Sequence, residues 1–189
     1  MLQDVLSHLE KLVSFDTRNP PREIGTGGIF DYLRLQLAGF EITVTDHGAG
    51  AVSMLAVRGS PRRVFNVHLD TVPGSPAWTA DPHVLRITAD RAIALGACDI
   101  KGAAAGLVAA ARVTTGDAAF LFTTDEEAND PRCIAAFLAG KHGFEEAIVA
   151  EPTMGEAVLA HRGISSVLVK FRGEAGHASG QQARDSSAV

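Results

Sequence analysis

The sequence predicts an α/β protein whose mainly parallel or mixed sheet is flanked by helices. Helical and extended periodicities alternate along most of the 189 residues, as they do in βαβ units. Hydrophobic residues make up 46% and charged residues 21%, a composition typical of a soluble chain with a buried core. From Gly163 onward the pattern changes to strict alternation. We therefore expect residues 1–162 to form most of one domain, and 163–189 to begin a smaller α+β domain.

The first part of the chain predicts two helices and two strands. Apolar residues recur at helical spacing from Leu2 to Val13. A second helix is expected at about Gly28 to Ala38, and Gly39 follows it as glycine commonly follows a helix. Alternation then predicts strands at Phe40–Val44 and Ser53–Val57.

The middle of the chain repeats a strand–helix order. The run Arg63–Asp70 has a short β-branched core, which predicts a buried strand that ends in polar residues. Three prolines between residues 71 and 82 predict a loop. The remaining predicted elements are a short strand Ile93–Leu95, an Ala-rich helix Gly102–Val113, a strand Ala119–Thr123, a helix capped by Asp130 that runs to about Ala139, and a strand Ala147–Ala150.

Composition excludes several classes of function. The chain has 17 Lys and Arg against 22 Asp and Glu, so its net charge of -5 argues against nucleic acid as a partner. No apolar run approaches the roughly 20 residues that span a bilayer, and Met1–Asp4 does not resemble a signal peptide. Cys98 and Cys133 form no close-spaced pair. These features predict a reducing, cytoplasmic location without a membrane partner.

Polar side chains follow each predicted parallel strand. His68 and Asp70 end one strand, Glu126 and Glu127 follow another, and Glu151 follows a third, while Asp99 precedes the Ala-rich helix. Functional groups in open α/β sheets gather beyond the carboxyl ends of the strands. We therefore expect these side chains to converge at one edge of the sheet.

One imidazole and several carboxylates in a small volume favour a divalent cation. Nitrogen and oxygen ligands suit zinc, and a bidentate carboxylate such as Asp99 can bridge two ions. Adjacent Glu126 and Glu127 can divide two roles, one binding metal and one acting as general base. Ordinary explanations stay open for each residue taken alone: Asp99 can cap the following helix, and the acidic run can be a solvated turn.

Several motifs resemble those of the M20 family of metal-dependent peptidases and deacylases, in order along nearly the whole chain. The run from His68 to Pro73 is similar to the first metal-ligand motif. The others are Gly96–Gly102, Thr124–Glu127, Glu151–Thr153, the loop Trp78–Pro82, His161–Gly163 and Gly176–Ser179.

The resemblance implies a role for each matching residue. His68 and Glu151 bind one metal ion, Asp99 bridges two ions, and Glu127 binds the second. Glu126 is the general base, and Asp70 holds the ring of His68. His177 helps to polarise the substrate carbonyl from the smaller domain. The Asp99–Ile100 peptide is expected to be cis.

The resemblance also implies a reaction and an assembly. The expected activity removes an acetyl group from an N-acetyl amino acid such as N-acetylornithine or N-acetylcitrulline in arginine biosynthesis, with two Zn²⁺ or Co²⁺ ions. A succinyl-diaminopimelate desuccinylase or another M20 peptidase is the alternative, and a binding module with an incomplete site is the non-enzymatic alternative. Family members form homodimers through the smaller domain and are longer. They carry a final His ligand that this sequence lacks, so the 189-residue chain is expected to be truncated and weakly active or inactive.

Overall fold

A computed structural model describes residues 1–21, 23–160, 163, 165, 167–170 and 172–173. The chain divides into two compact units, Met1–Gly155 and Glu156–Val189. His177 and the motifs around residues 161–162 and 176–179 lie outside the described residues.

A five-stranded mixed sheet forms the centre of the first unit. Its order is β1-β2-β6-β3-β7, in which β3 is parallel to both β6 and β7, and β2 is antiparallel to both β1 and β6. The mixed sheet predicted from the sequence is confirmed. The strands are β1 (Glu41–Asp46), β2 (Val52–Arg58), β3 (Arg63–His68), β6 (Ala118–Thr123) and β7 (Glu146–Val149), and a small hairpin pairs β4 (Arg86–Ile87) with β5 (Ala92–Ile93).

Helices cover both faces of the sheet because side chains alternate along each strand. In β6, Phe120 and Phe122 join the larger core, whereas Ala119 and Leu121 join a smaller one on the opposite face. The larger core lies under α1 (Leu2–Val13), α2 (Ile29–Gln36) and α3 (Gly102–Val113), and α4 (Arg132–Ala139) covers the smaller core.

The structure moves some predicted boundaries. The short strand expected at Ile93–Leu95 is the edge of a hairpin at Ala92–Ile93. Asp130 does not cap α4 as predicted. Its carboxylate accepts a hydrogen bond from Arg132, and the Oδ2 of Asp125 instead accepts the backbone N–H of Cys133 at 2.8 Å. A more distant carboxylate has taken the capping role, which local sequence could not reveal.

The second unit is described only in part. Val167, Leu168 and Val169 are exposed, and the described residues from Gly163 onward are not in a strand. The strict alternation that begins at Gly163 is therefore not accompanied by a strand among these described residues. Across the described residues, no helix combines the length and the apolar character needed to cross a membrane.

Candidate metal centre

Three parallel strands deliver the candidate residues to one edge of the sheet. His68 is the last residue of β3 and pairs with Thr123, the last residue of β6. The backbone N–H of Ala150, just after β7, donates to the carbonyl of Asn66 at 2.9 Å. The carboxyl ends of β3, β6 and β7 therefore lie side by side at one edge of the sheet. This arrangement places Glu126, Glu127 and Glu151 near His68, as their predicted positions after the strands require.

The imidazole ring of His68 is buried between two carboxylates. It is 3% exposed, and its Nδ1 lies 3.1 Å from the carbonyl oxygen of Asp70 and 3.5 Å from the Oδ1 of the same residue. On the other side, its Nε2 lies 3.1 Å from the Oδ1 of Asp99. When Nδ1 carries the proton and donates to Asp70, Nε2 is left as the nitrogen that faces the carboxylates, which is the orientation of a metal ligand.

Asp70 is fully buried and joins three segments of the chain. Its Oδ2 accepts the backbone N–H of Glu127 at 2.9 Å and the side-chain amide of Asn19 at 3.4 Å. Its Oδ1 has no hydrogen-bond donor within the described part of the chain. A buried carboxylate oxygen that accepts no hydrogen bond and lies next to His68 is consistent with a residue that orients a metal-binding ring.

Asp99 reaches the site from an irregular turn. The residues Ala97–Lys101 form a kinked turn ahead of α3 in which Asp99 and Ile100 are not helical, and the Asp99–Ile100 peptide is cis, as the resemblance predicted. The turn begins after Gly96, whose φ of 73° is left-handed. The side chain of Asp99 is half-exposed, so its carboxylate lies at the open side of the site, opposite the buried ring of His68.

The donor atoms are close enough to share cations. One group consists of His68, Asp99 and Glu151, and a second consists of His68, Glu126 and Glu127. Within each group the possible ligand atoms lie within 4.8 Å of one another. An imidazole with several carboxylates is a donor set suited to Zn²⁺ or Co²⁺. The residues present therefore fit a divalent cation.

The charges at this edge act strongly on one another. Burial by itself lowers the pKa of His68, but the Asp70 carboxylate 3.5 Å from Nδ1, together with Glu126 and Glu151, raises that pKa to about 9. Burial raises the pKa of Glu127 and of Glu151, an effect that His68 partly offsets and that Asp99 and Glu126 increase. With a pKa of about 9, the ring of His68 holds a second proton at neutral pH when no cation is bound. A bound divalent cation would take the place of that proton.

The sequence model of peptidase family M20/M25/M40 matches residues 64–177, which is more than half of the chain. The chain belongs to this family. The resemblance read from the motifs is thereby confirmed, and this M20 chain holds the matching residues His68, Asp70, Asp99, Glu126, Glu127 and Glu151 at one edge of its sheet.

Two relatives show where the M20 chain falls within its family. It is 69% identical over 190 residues to an N-acetyl-L-citrulline deacetylase of Xanthomonas campestris pv. campestris, a match that covers 100% of this chain and 52% of the relative. It is 32% identical over 157 residues to an acetylornithine deacetylase of Proteus mirabilis, covering 77% of this chain and 40% of that relative. The chain thus spans about half the length, or less, of these curated relatives.

A solved structure supports the fold independently. Human carnosine dipeptidase 1 superposes on 80% of this chain and 41% of its own, with a TM-score of 0.63 and 16% sequence identity. At that identity the likeness concerns the fold. It supports the α/β architecture predicted from the sequence.

Two residues that matter to the M20 site were not selected from the sequence. Asn19 contacts Asp70, and Lys101 is buried at the end of the turn that carries Asp99. An asparagine before two prolines is an ordinary loop signal. A lysine at the start of a helix is usually solvated, although its place inside the second motif was a hint. His177 was selected, but its position lies beyond the described residues.

Proposed function

We propose that this chain carries most of the metal site of an N-acyl amino acid deacetylase, and that N-acetylcitrulline is its substrate. The convergence of His68 with carboxylates from separate strand ends supports a metal-dependent hydrolase most directly. The 69% identity to a citrulline deacetylase favours the acetyl group and citrulline over the ornithine and succinyl alternatives.

The proposed roles follow the donor groups. His68 and Glu151 hold one ion, Glu127 holds a second, and Asp99 lies where a carboxylate can contact both. Divalent ions in such a site supply Lewis acidity, which polarises a carbonyl and makes water more acidic. Asp70 keeps the ring of His68 in place. The metals are proposed to be two Zn²⁺ or Co²⁺ ions.

Glu126 is the proposed general base. Its side chain is exposed at the edge of the site, and Glu127 next to it is half-buried. The more accessible carboxylate can meet water and substrate, take a proton from the attacking water and pass it to the leaving amine. A module that only binds its ligand has no need of this residue, so its position argues for hydrolysis.

Replacing Glu126 by glutamine tests the function. In a protein that also supplies the remaining metal ligand, hydrolysis of N-acetylcitrulline, measured as release of the free amine, is expected to fall on the order of 10²–10⁴-fold, while Co²⁺ binding persists. Glu10→Gln is the matched control, since Glu10 lies exposed in α1. Unchanged turnover in the Glu126 variant would overturn the assignment of Glu126 as the base. If the wild-type protein cleaves N-succinyl-diaminopimelate or N-acetylornithine faster than N-acetylcitrulline, the proposed substrate is wrong.

The remaining parts of the proposal concern the whole protein. Homodimer formation through the segment after residue 162, a contribution of His177 to the substrate carbonyl, and a cytoplasmic location all rest on the family resemblance and on composition. Light scattering in solution tests the dimer. A His177→Ala variant with unchanged kcat would remove that residue from the catalytic group.

A further inference from the structure

The ammonium group of Lys101 is buried beside the candidate metal centre. The residue is 1% exposed, and its Nζ donates to the backbone carbonyl of Phe15 at 3.0 Å. Burial lowers the pKa of this amine to about 8, while Asp16 and Asp70 act to raise it. Because removing an ammonium ion from water costs free energy, stability alone does not explain a lysine at this position.

Lys101 is fixed within the turn that carries Asp99. It is the last residue of that turn, and its backbone N–H donates to the carbonyl of Gly96 at 2.8 Å. A Cβ atom placed on Gly96 would lie 3.4 Å from the Cδ of Lys101 and 2.5 Å from the Cγ2 of Thr71. The stem of Lys101 and the side chain of Thr71 therefore pack closely around Gly96.

The carbonyl that Lys101 contacts belongs to a segment that also supports the His68 strand. We call residues 15–19 the N-terminal brace. Within it, the hydroxyl of Thr17 donates to the carbonyl of Leu69 at 2.6 Å, and the backbone N–H of Thr71 donates to the carbonyl of Thr17 at 3.0 Å. Asn19 in the brace donates to Asp70. The brace thus holds the residues just after His68 on one side and, through Lys101, the Asp99 turn on the other.

We propose that Lys101 is a positioning residue for the metal centre. Its buried ammonium group ties the Asp99 turn to the N-terminal brace, which fixes the carboxylate of Asp99 relative to the ring of His68. Lys101 itself contacts neither metal nor substrate. The proposal rests on the metal-binding role proposed above, and it adds a residue from outside the ligand set.

Lys101→Met removes the ammonium group and keeps most of the stem. Co²⁺ titration of the variant chain, followed by visible absorption, is expected to give an affinity about 10–100-fold weaker than wild type, because residues that orient ligands typically contribute that much. The Co²⁺ absorption band is expected to shift as well, since the Asp99 carboxylate is held differently. Lys11→Met is the matched control, because the amine of Lys11 lies 5.0 Å from the centre of the Phe15 ring and Lys11 itself is exposed.

The outcomes separate this proposal from the proposed function. Wild-type chain that binds no Co²⁺ would overturn both. Wild-type chain that binds Co²⁺, with a Lys101→Met variant of equal affinity and spectrum, would overturn the positioning role alone, even if the metal-free variant melts at a lower temperature. Where Lys101→Met does not fold, Lys101→Gln decides, because its shorter, uncharged amide cannot reproduce the contact of the ammonium group with Phe15. Weaker Co²⁺ binding by that variant supports the proposal, and wild-type binding overturns it.

Discussion

Replacing Asp70 by asparagine removes the carboxylate that lies beside the buried ring of His68. The rise in the pKa of His68 from 6.5 to about 9 occurs against the opposing effect of burial, and Asp70 supplies the leading favourable contributions. A rise of this size corresponds to roughly 3 kcal/mol in favour of the protonated ring in the folded, metal-free chain. In the Asp70→Asn variant we expect the pKa of His68 to fall toward 6.5.

The sign of the effect on stability follows from proton linkage. His68 binds a proton more tightly in the folded chain, so its stabilising contribution is complete below pH 6.5 and is lost as the pH rises through about 9. Between pH 6.5 and 8, the metal-free wild-type chain should lose about 1.5 kcal/mol of unfolding free energy from this group. The Asp70→Asn variant should lose little of it. Titration of the ring itself isolates His68, because Asp70 also helps to raise the pKa of Lys101 and its replacement changes both groups.

Urea denaturation at both pH values, with EDTA present, measures this difference. NMR titration of the His68 ring gives the pKa directly. Asp90→Asn is the control, because the side chain of Asp90 is 75% exposed and should leave the pH dependence unchanged. A wild-type His68 that titrates near 6.5, or a variant that keeps the full pH dependence, would refute the proposed coupling of Asp70 to His68.

Two further predictions concern packing. Gly96→Ala should lower the urea-unfolding free energy by at least about 2 kcal/mol, because its φ is 73° and its Cβ would lie 2.5 Å from Thr71. Gly106→Ala, in α3, should instead stabilise by about 0.5–1 kcal/mol, because a Cβ added there would meet no side chain or backbone from outside its own helical turn within 4 Å; equal effects of the two variants would contradict this difference in packing. In the native chain a thiol reagent should modify exposed Cys98, whereas Cys133, whose pKa burial raises to about 12, should react only in urea. Equal reactivity would mean that the side chain of Cys133 is not buried under α4.

The position of the candidate metal ligands at one edge of the sheet could be predicted, because it depends on local sequence patterns. Strands that end in His68, Thr123 and Val149 are predicted by short apolar runs, and the rule that functional groups follow parallel strands then places the carboxylates together. The fold class and the family motifs were confirmed. The assignment of each ligand to a particular ion stays a prediction.

The supporting contacts were not predictable, because each depends on residues far apart in the chain. The contact between Lys101 and Phe15 spans 86 positions, and that between Asn19 and Asp70 spans 51. The capping of α4 by Asp125 rather than Asp130 has the same cause, since it depends on how the chain turns after β6. Sequence periodicity reports which face of an element is buried, but not which partner covers it.

The strand order has a consequence for how the chain acquires its site. Strand β6 lies between β2 and β3, so forming the sheet requires pairings such as Phe65 with Phe120 and Arg63 with Glu146, which close long loops. Folds dominated by such distant pairings cross their folding barrier slowly, in milliseconds to seconds. His68 meets Glu126 and Glu127 only when β6 has paired with β3. A cation added to refolding protein should therefore leave the folding rate unchanged and slow the unfolding rate, because the metal binds only after the sheet has formed.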